Sequence, residues 1–396
     1  MTKLDELIQE LCPDGVKYLP IPELFITRNG YTPSKANNEF WENGTIPWFR
    51  MEDIRENGRI LTTATQYVSE KAVKGKLFPA DSIIIATSAT IGEHALIKVP
   101  SLANQRFTYL TLKDEFKDCV DMMFVFYYCF RLDEYCKSHL NQGNFASVDM
   151  KQFAAFKFPV PPLPVQREIV RILDNFTELT AELTAELTAR KQQYAYYRDK
   201  LLTFGDVRVG VTSDVIRRTL GEVCKISAGG DAPKDSMSKQ KTEKYSVPII
   251  SNGIGENALY GYTDAPKVEE PAVTVAARGT IGYAEYRDYP FYPIIRLLTA
   301  IPKDSTVVNT KYLYYCLQGK QYSVPIGGIP QLTAPELKKV EIPIPSLDVQ
   351  NRIVQVLDNF DAVCTDLSSG LPAEIEARQK QYEYYRDKLL TFTPAD

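Results

Sequence analysis

The residues of this sequence that could carry acid–base or metal chemistry are few and scattered. Glu52 and Asp53 form an adjacent carboxylate pair beside Arg50, and carboxylates of this kind can hold the metal ions of a nuclease. No second carboxylate-x-Lys element follows at a plausible strand position, so we assign the pair a structural or binding role. The only histidines are His94 and His139, and we expect both to lie in turns or at the surface.

Motifs of the common enzyme classes are missing from the sequence. It has no GxxxxGK(S/T) phosphate loop, no GxSxG elbow, no HExxH and no glycine-rich nucleotide fingerprint after a strand. The cysteines form no CxxC pair, and their odd, scattered count predicts buried reduced thiols rather than a zinc site or a disulfide framework. They are Cys12, Cys119, Cys129, Cys136, Cys224, Cys316 and Cys364.

Length and charge limit the class of protein further. A chain of 396 residues is too long for one ordinary core and predicts two or three domains. Its apolar runs, such as 82–86 and 122–129, are shorter than the roughly 20 residues of a membrane span, and the start MTKLDELIQEL predicts an amphipathic helix. We therefore expect a cytoplasmic protein. The net charge of −4 means that any nucleic acid would have to be held by local patches or with help from another subunit.

An internal repeat is the strongest signal in the sequence. PVPPLPVQREIVRILDNF (159–176) matches PIPSLDVQNRIVQVLDNF (343–360) at an offset of 350 − 166 = 184. The Tyr-rich endings, 194–204 and 382–392, match at 386 − 198 = 188. Upstream, ATIGE (89–93) matches GTIGY (279–283) at 280 − 90 = 190, and ELFITRNG (23–30) weakly matches EVCKISAG (222–229) at 199. The chain is thus a variable body and a constant helix, written twice.

The constant segments predict long helices. Apolar residues between 166 and 204 recur every three or four positions, which predicts an amphipathic helix on the order of 58 Å long at about 1.5 Å per residue. Its natural partner is the second copy, 350–392, although SSGLP (368–372) must interrupt that copy because glycine and proline break helices. The bodies contain short β-rich runs followed by a helical run, and Pro-rich connectors precede each long helix.

This organisation resembles the specificity (S) subunit of Type I restriction-modification systems, and the tandem TAEL tetrads (180–187) resemble its IC-like class. The resemblance implies an α+β fold with two target recognition domains, 1–162 and 205–345. They are joined by spacer helices, 163–204 and 346–396, that pack antiparallel as a coiled coil. It also implies that this chain is not an enzyme, and that it lies in a cytoplasmic complex with double-stranded DNA and two methyltransferase (M) subunits.

The same resemblance implies two endonuclease (R) subunits in the full complex. It places S-adenosylmethionine with the methyltransferase partner and ATP and Mg with the endonuclease partner, and it implies no cofactor in this chain. The alternative is a self-sufficient DNA methyltransferase or nuclease with a degenerate motif. An amine pocket of the NPPY or DPPY type would favour that alternative, and FPVPPLP (158–164) lacks the required Asn or Asp.

Physical arguments agree with a two-part DNA reader. The bodies differ at IPWFRMEDI (46–54) and VPIISNGIGE (247–256), which predicts an asymmetric, bipartite target. One TAEL adds about 6 Å and about 40° to a helix, whereas one base pair adds about 3.4 Å and about 35°. The rotation matches one base pair and the length overshoots, so the tetrad is interpreted as a ruler for the gap between half-sites, with helix-favouring filler as the alternative.

Polar residues on turns are the candidates for DNA contact, with a solvated turn or a local cap as the alternative for each. The candidates are Thr32, Ser34, Lys35, Arg50, Glu52, Ser88, Thr90, Gln105 and Arg106 in the first body and Lys234, Ser251, Asn252, Arg278, Thr280 and Gln331 in the second. The helical spacing of the repeated endings predicts core and subunit-interface roles for Tyr194, Tyr197, Leu201, Tyr382, Tyr385 and Leu389 rather than base stacking.

Overall fold

The computed structural model of the chain describes residues 2–141, 146–204, 215–322, 330–366 and 368–395. It divides into two compact units, Met1–Glu182 with Glu376–Asp396, and Leu183–Ile375. The first unit contains the first LDNF segment and the second Tyr-rich ending, and the second unit contains the converse pair. Each unit therefore takes one half of its helical part from each repeat.

The first unit is a mixed α/β body with a five-stranded sheet of order β2-β9-β6-β7-β4, a three-stranded sheet β5-β3-β8 and a pair β1-β10. Its helices are α1 (Lys3–Leu11), α2 (Ile21–Leu24), α3 (Met51–Asn57), α4 (Met122–Ser138), α5 (Met150–Ala155) and α6 (Leu163–Thr203), the last continuing into the second unit. Its strands are β1 (Tyr18–Pro20), β2 (Phe25–Asn29), β3 (Ile46–Phe49), β4 (Ile60–Leu61), β5 (Tyr67–Val68), β6 (Ser82–Ala86), β7 (His94–Ile97), β8 (Leu102–Ala103), β9 (Phe107–Leu112) and β10 (Lys157–Pro159).

The second unit repeats this plan with sheets of order β12-β19-β16-β17 and β13-β15-β14-β18 and a pair β11-β20. Its helices are α7 (Leu220–Val223), α8 (Thr310–Leu317), α9 (Ala334–Lys338), α10 (Leu347–Thr365) and α11 (Leu371–Leu389), the last continuing into the first unit. Its strands are β11 (Ile216–Thr219), β12 (Cys224–Ala228), β13 (Met237–Ser238), β14 (Val247–Ile250), β15 (Leu259–Thr263), β16 (Ala272–Ala276), β17 (Ala284–Arg287), β18 (Tyr292–Pro293), β19 (Leu297–Pro302) and β20 (Glu341–Ile344).

The central strands form where the sequence offers short apolar runs. All five residues of β6 are buried, and β6 lies between β7 and β9, as expected for a strand covered on both faces. In the second unit β16 is equally buried between β17 and β19. The main body helices begin at side-chain caps: the Asp121 carboxylate accepts from Met123 N at the start of α4, and Asn309 Oδ1 accepts from Lys311 N at the start of α8.

The long helices confirm most of the predicted spacer. Helix α6 begins at Leu163, the first residue of the predicted spacer helix, because a proline in the first helical turn loses no intrahelical hydrogen bond. The second copy is interrupted between Thr365 and Leu371, as predicted. At Gly370 a side chain has no room, since a Cβ atom there would lie 2.7 Å from the carbonyl oxygen of Ala362.

Ring contacts show how the two helical copies meet within each unit. In the first unit Phe176 of α6 stacks on Tyr385 of α11, with centroids 5.6 Å apart. In the second unit Tyr197 of α6 stacks on Phe360 of α10, with centroids 6.1 Å apart. In each unit a segment of α6 therefore packs on a segment of the second copy, and antiparallel packing of the two whole copies stays a prediction.

A buried glutamine attaches each body to its long helix. In the first unit the Gln166 amide accepts from Asp121 N at 2.8 Å and donates to the carbonyls of Cys119 at 2.8 Å and Pro161 at 2.6 Å. In the second, Gln350 accepts from Asn309 N at 2.9 Å and donates to the carbonyls of Val307 at 2.8 Å and Pro345 at 2.9 Å. Both glutamines are fully buried.

A tyrosine–aspartate bond lies about two helical turns further along each long helix. Tyr127 Oη donates to Asp174 Oδ1 at 2.6 Å in the first unit, and Tyr315 Oη donates to Asp358 in the second. Burial raises the pKa of both phenols, so both remain protonated donors at neutral pH. The bond and the glutamine together fix the body helices α4 and α8 against the long helices.

Hydropathy gives one further result on the long helices. None of the helices in the described part of the chain is both long and apolar enough to span a membrane.

Candidate nucleic-acid interface

One turn, 104–106 between β8 and β9, organises the candidate residues of the first unit. Asn104 N donates to the Phe49 carbonyl at 3.0 Å, which brings the start of α3 to the turn. Thr87 N donates to the Arg106 carbonyl at 2.9 Å, which brings the loop after β6 beside it. Tyr31 N donates to the Ala103 carbonyl at 2.8 Å, which adds the loop after β2. Three loops that are distant in sequence therefore share one edge.

Some of the predicted side chains on these loops are already bonded within the protein, and others are not. Thr32 Oγ1 donates to Gln105 Oε1. Ser88 forms a backbone bridge to Ser147, and Thr90 is half-buried in the same loop. Lys35 and Arg106 are exposed, and neither side chain has a hydrogen bond or ion pair among the described residues. These free cations are the most available for DNA phosphates or bases.

Arg50 is partly committed to the protein. Its guanidinium donates to Thr65 Oγ1 at 3.0 Å and lies 3.9 Å from Glu52. It also lies 5.9 Å from the ring centre of Trp48. Ser34 contributes its carbonyl to Trp41 Nε1 at 3.1 Å, so its hydroxyl is the part left for a ligand.

Asp53 of the Glu52–Asp53 pair has a structural role, while contact of Glu52 with DNA stays a prediction. Asp53 is fully buried and accepts from the backbone N–H groups of Arg50 at 2.7 Å and Thr65 at 2.6 Å. Its two oxygens are thus occupied by the start of α3 and the following loop. Within the described residues no three His, Cys, Asp or Glu side chains come together as a metal site would require.

The second unit is built around the corresponding turn, 294–296 between β18 and β19. Ile294 N donates to the Ile250 carbonyl at 2.9 Å, which brings Ser251 to the turn. Ala277 N donates to the Arg296 carbonyl at 2.8 Å, which brings Arg278 beside it. Leu332 N donates to the Ala277 carbonyl at 2.8 Å, which adds Gln331.

Local bonds hold several of the predicted side chains of the second unit. Asn252 Nδ2 donates to the Arg278 carbonyl at 2.6 Å, and Thr280 Oγ1 donates to the Asn252 carbonyl at 2.9 Å. Ser251 Oγ donates to the Ala258 carbonyl at 3.0 Å. Lys234 lies with Ile294 and Ile295 on the wall of an open cavity of about 790 Å³. Asn252, Ser251 and Thr280 therefore shape the loop, while Lys234 and Arg278 keep free side chains within the described chain.

Sequence reasoning missed Arg296. The offset of 190 that relates ATIGE to GTIGY also relates Arg106 to Arg296, since 296 − 106 = 190. Extending that offset by sixteen residues would have found it. It also missed lysines packed on tyrosines in the second unit: Lys239 lies 3.7 Å from the Tyr260 ring centre, and Lys267 lies 4.5 Å from that of Tyr292. Basic side chains next to aromatic rings suit phosphate backbones.

The repeated helical endings contain the residues predicted for core and interface. Tyr194 and Leu201 pack against the core of the second unit, and Tyr382 and Leu389 pack against that of the first. Tyr194 Oη donates to Gln318 Oε1 at 2.7 Å, and burial raises its pKa to about 12. Tyr197 and Tyr385 are the stacked rings described above and remain 39% and 36% exposed. Their core contacts are within this chain, and a subunit-interface role stays a prediction.

Two expectations from the sequence were wrong. His94 is fully buried in β7 rather than in a turn, with Nδ1 2.7 Å from Asp133 Oδ2 and its ring edge-on to Phe126 and Phe130. The paired carboxylate and the aromatic rings make this burial possible. Cys119 is exposed rather than buried. The other cysteines are buried or half-buried and free, and His139 lies at the end of α4 with Nδ1 2.9 Å from the Tyr135 carbonyl.

Comparison with known proteins identifies the family. The family model described as the Type I restriction modification DNA specificity domain matches twice, at residues 13–190 and 212–377. The Type I restriction enzyme EcoprrI specificity subunit of Escherichia coli is 43% identical over 384 residues, which cover 93% of each chain.

Solved structures agree on the fold. A chain from a study of complex assembly and conformational transition of the type I R-M system superposes with a TM-score of 0.67 at 17% identity, covering 96% of this chain and 98% of that chain. The HsdS subunit from Thermoanaerobacter tengcongensis superposes with a TM-score of 0.53 at 16% identity, covering 96% and 97%. The alternative of a self-sufficient methyltransferase or nuclease is not supported. The chain belongs to the family of non-catalytic DNA specificity subunits of Type I restriction-modification systems.

Proposed function

We propose that the chain reads an asymmetric, bipartite DNA sequence, with one half-site read by each unit. The observation that carries the proposal is the pair of matched turns, 104–106 and 294–296, which have the same backbone bonds but different side chains around them. Arg50 of the first unit stands where Ser251 stands in the second, immediately after the strand that pairs with the turn. Two readers with one architecture and different polar groups recognise different bases.

The partners belong to the same proposal. The chain docks two methyltransferase subunits, which use S-adenosylmethionine, and two endonuclease subunits, which use ATP and Mg. The complex acts in the cytoplasm. A matched solved structure comes from a study of complex assembly of the type I R-M system, which supports partner subunits. The tandem TAEL tetrads support assignment to the IC-like class.

The DNA contacts divide between bases and phosphates. The contacts come from free side chains such as Lys35 and Arg106 in the first unit and Lys234 and Arg278 in the second, whose lack of partners within the described chain supports this part of the proposal. With a net charge of −4 the chain alone supplies few phosphate contacts, so methyltransferase subunits are needed for tight binding.

Methylome sequencing tests the proposal. The gene is expressed with its cognate methyltransferase gene in a host that lacks other methylation, and the methylated sites are aligned. We expect one motif made of two unlike half-sites separated by a fixed gap. A symmetric motif, or a motif without a gap, would contradict the proposal. Incubation of the purified chain alone with labelled S-adenosylmethionine and DNA is the control, and methyl transfer there would favour the self-sufficient enzyme.

A further inference from the structure

The turn between β18 and β19 of the second unit presents an exposed isoleucine followed by an exposed arginine, Ile295 and Arg296. We infer that this dipeptide is a base-reading element of the second unit, matched to Gln105–Arg106 of the first, and that residues 105 and 295 help to set the different half-sites. The inference rests on the proposed function and names residues that perform it.

The two turns share the same backbone hydrogen bonds, although of the two arginines only Arg296 has a positive φ. In the first unit Gly30 N donates to the Phe107 carbonyl at 2.9 Å, and Phe107 N donates to the Asn104 carbonyl at 3.2 Å. In the second unit Gly229 N donates to the Leu297 carbonyl at 2.8 Å, and Leu297 N donates to the Ile294 carbonyl at 3.2 Å. With the bonds to Phe49 and Thr87 and to Ile250 and Ala277, four hydrogen bonds agree in each turn. Arg106 and Arg296 therefore occupy equivalent positions.

The side chains of Arg106, Ile295 and Arg296 are free to meet a ligand, whereas Gln105 Oε1 accepts from Thr32 Oγ1 and keeps its second lone pair and its amide N–H groups for one. Neither Arg106 nor Arg296 has a side-chain hydrogen bond or ion pair within the described parts of the chain. Ile295 is 51% exposed although it lies between the buried Ile294 and the buried strand β19. About half of the Ile295 side chain and the Arg296 guanidinium are thus available to a ligand, and both groups have complementary partners on DNA.

The chemistry of the two dipeptides differs in a way that distinguishes bases. A guanidinium binds the O6 and N7 atoms of guanine through two hydrogen bonds. A glutamine amide binds adenine in the same bidentate manner, while an apolar side chain contacts the methyl group of thymine. The two dipeptides thus share an arginine, which favours guanine. They differ in the residue before it, because Gln105 favours adenine and Ile295 favours thymine.

The backbone of Arg296 supports a functional role. Its φ is +74°, in the left-handed region that a residue with a Cβ atom rarely adopts. Such a conformation costs free energy at a non-glycine residue and persists only where the surrounding structure holds it in place. A glycine would adopt this φ without strain, so the presence of arginine favours a role for the side chain.

A lysine occupies a matching sequence position in each body. Lys35 of the first unit and Lys234 of the second are related by the offset of 199 found upstream, since 234 − 35 = 199. Lys234 and Tyr260 lie on the same cavity wall as Ile295, together with Asp231 and Asp235. Lys234 is therefore close enough to the second turn to hold a phosphate beside the base that the turn reads.

Three substitutions separate base reading from phosphate binding and from folding. R296K keeps the charge and removes the bidentate fork. R296G removes the side chain and relieves the backbone. R218K is the matched control, because Arg218 is an exposed arginine of the same unit that forms an ion pair with Glu222 at 3.6 Å. Each variant is expressed with the cognate methyltransferase, and the methylation of a plasmid library randomised in both half-sites is sequenced.

We expect R296K and R296G to lower the preference at one position of one half-site by about 5- to 150-fold, which corresponds to about 1–3 kcal/mol for a bidentate base contact. The other half-site and R218K should keep the wild-type pattern. R106K should lower the base preference at one position of the other half-site by a similar factor. The reciprocal variants Q105I and I295Q should each change the preferred base at one position.

Several outcomes would overturn the inference. Retention of the full pattern by R296K, together with an equal loss on all sequences by R296G, would show that Arg296 is a phosphate clamp. An unchanged pattern in both variants would show that Arg296 does not contact DNA. An unchanged base preference in I295Q would remove residue 295 as a determinant. In each case a bipartite wild-type motif would leave the proposed function intact, whereas its absence would refute the proposed function itself.

Discussion

Gln166 and Gln350 each occupy a fully buried position on a helix, where an amide is stable because all of its bonding groups find partners. The partners are main-chain groups at the start of α4 and at the start of α8. Because main-chain groups are the same in both units, the glutamine is retained in both copies although the bodies differ. A residue of this kind fixes the orientation of a body on its helix.

Replacement of Gln350 by leucine tests this role. Leucine leaves the Asn309 N–H and the carbonyls of Val307 and Pro345 without partners, and a buried group without its hydrogen bond costs about 1–3 kcal/mol. We expect Q350L to lower the free energy of unfolding by about 2 kcal/mol, measured by urea denaturation. Q355L is the matched control, because Gln355 is exposed on the same helix. Equal stability of the two variants would show that the amide has no such role.

Glu168 predicts a pH dependence of stability. Its carboxylate lies 2.7 Å from Arg171 and 3.1 Å from Lys3, and the hydrogen bond from Arg171 is the main cause that lowers its pKa from 4.5 to about 2. A lowered pKa in the folded state stabilises the protein above the ordinary pKa, and that contribution is lost as the pH falls toward 2.

We therefore expect E168Q to be less stable than the wild type at pH 7 and equally stable near pH 2. Urea midpoints at several pH values measure the difference, and E178Q, which changes an exposed glutamate of the same helix, should show no such trend. A gap between E168Q and the wild type that stays constant with pH would refute the role of the carboxylate.

At this scale the sequence predicts types of residue better than their surroundings. The candidate residues were predicted as polar side chains in turn segments, and the structure brings several of their loops to one turn in each unit. The burial of His94 was not predicted, because it depends on Asp133, which lies 39 positions away in the sequence. Arg296 was within reach of the repeat offset, but the strand pairing that makes it equivalent to Arg106 is a tertiary property.

Secondary-structure elements could be predicted from the sequence where a single hydrophobic period dominated the segment. The short β-rich runs of the two bodies form strands β6, β9, β16 and β19, the helical runs that follow them form α4 and α8, and the predicted long helix is α6. The pairs β1-β10 and β11-β20 were not predicted, since short strands of three or four residues carry little periodic signal and form through pairing with distant chain. The break before α11 was predicted because glycine and proline act locally.

The tandem TAEL tetrads belong to the middle of α6. Leu183 and Leu187 are half-buried, whereas Thr184, Ala185 and Glu186 are exposed, so each tetrad adds one apolar contact and one helical turn. Deletion of 184–187 keeps the apolar stripe in register, shortens the helix by about 6 Å and rotates the C-terminal part of the helix by about −40°. The protein should still fold and recognise the same half-site sequences.

We expect the gap between the half-sites to shorten by about one base pair, because the rotation determines which groove face a reader meets. Methylome sequencing of the deletion measures the gap, and insertion of a third TAEL should lengthen it. An unchanged gap would make the tetrads filler, and loss of folding by circular dichroism would make them a packing element. A change in a half-site sequence would refute the ruler.

At the scale of the whole chain, the repeat predicts two similar readers but not the membership of each unit. The first unit includes the C-terminal segment: Val16 N donates to the Thr393 carbonyl at 2.9 Å, and Tyr18 Oη donates to the Phe392 carbonyl at 3.2 Å. Arg131 of α4 also donates to the Asp387 carbonyl at 2.8 Å. The sequence does not predict that the C-terminal segment belongs to the first unit, because contacts between residues so far apart along the chain produce no hydrophobic periodicity.

Because the C-terminal segment belongs to the first unit, an exchange of the first DNA-reading body must preserve its contacts with that segment. Replacement of residues 1–162 by the corresponding body of a related subunit should change one half-site and leave the other unchanged, because each body has its own turn, core and glutamine attachment. The graft must retain Tyr18 and Arg131, since both bond to the C-terminal segment that stays behind. A graft that lacks these two residues is the matched control, and we expect it to show the same new half-site with a lower urea midpoint. Methylome sequencing of the hybrid with the cognate methyltransferase measures the motif. If both half-sites changed together, recognition would depend on contacts that cross between the bodies, and the two readers would not be independent.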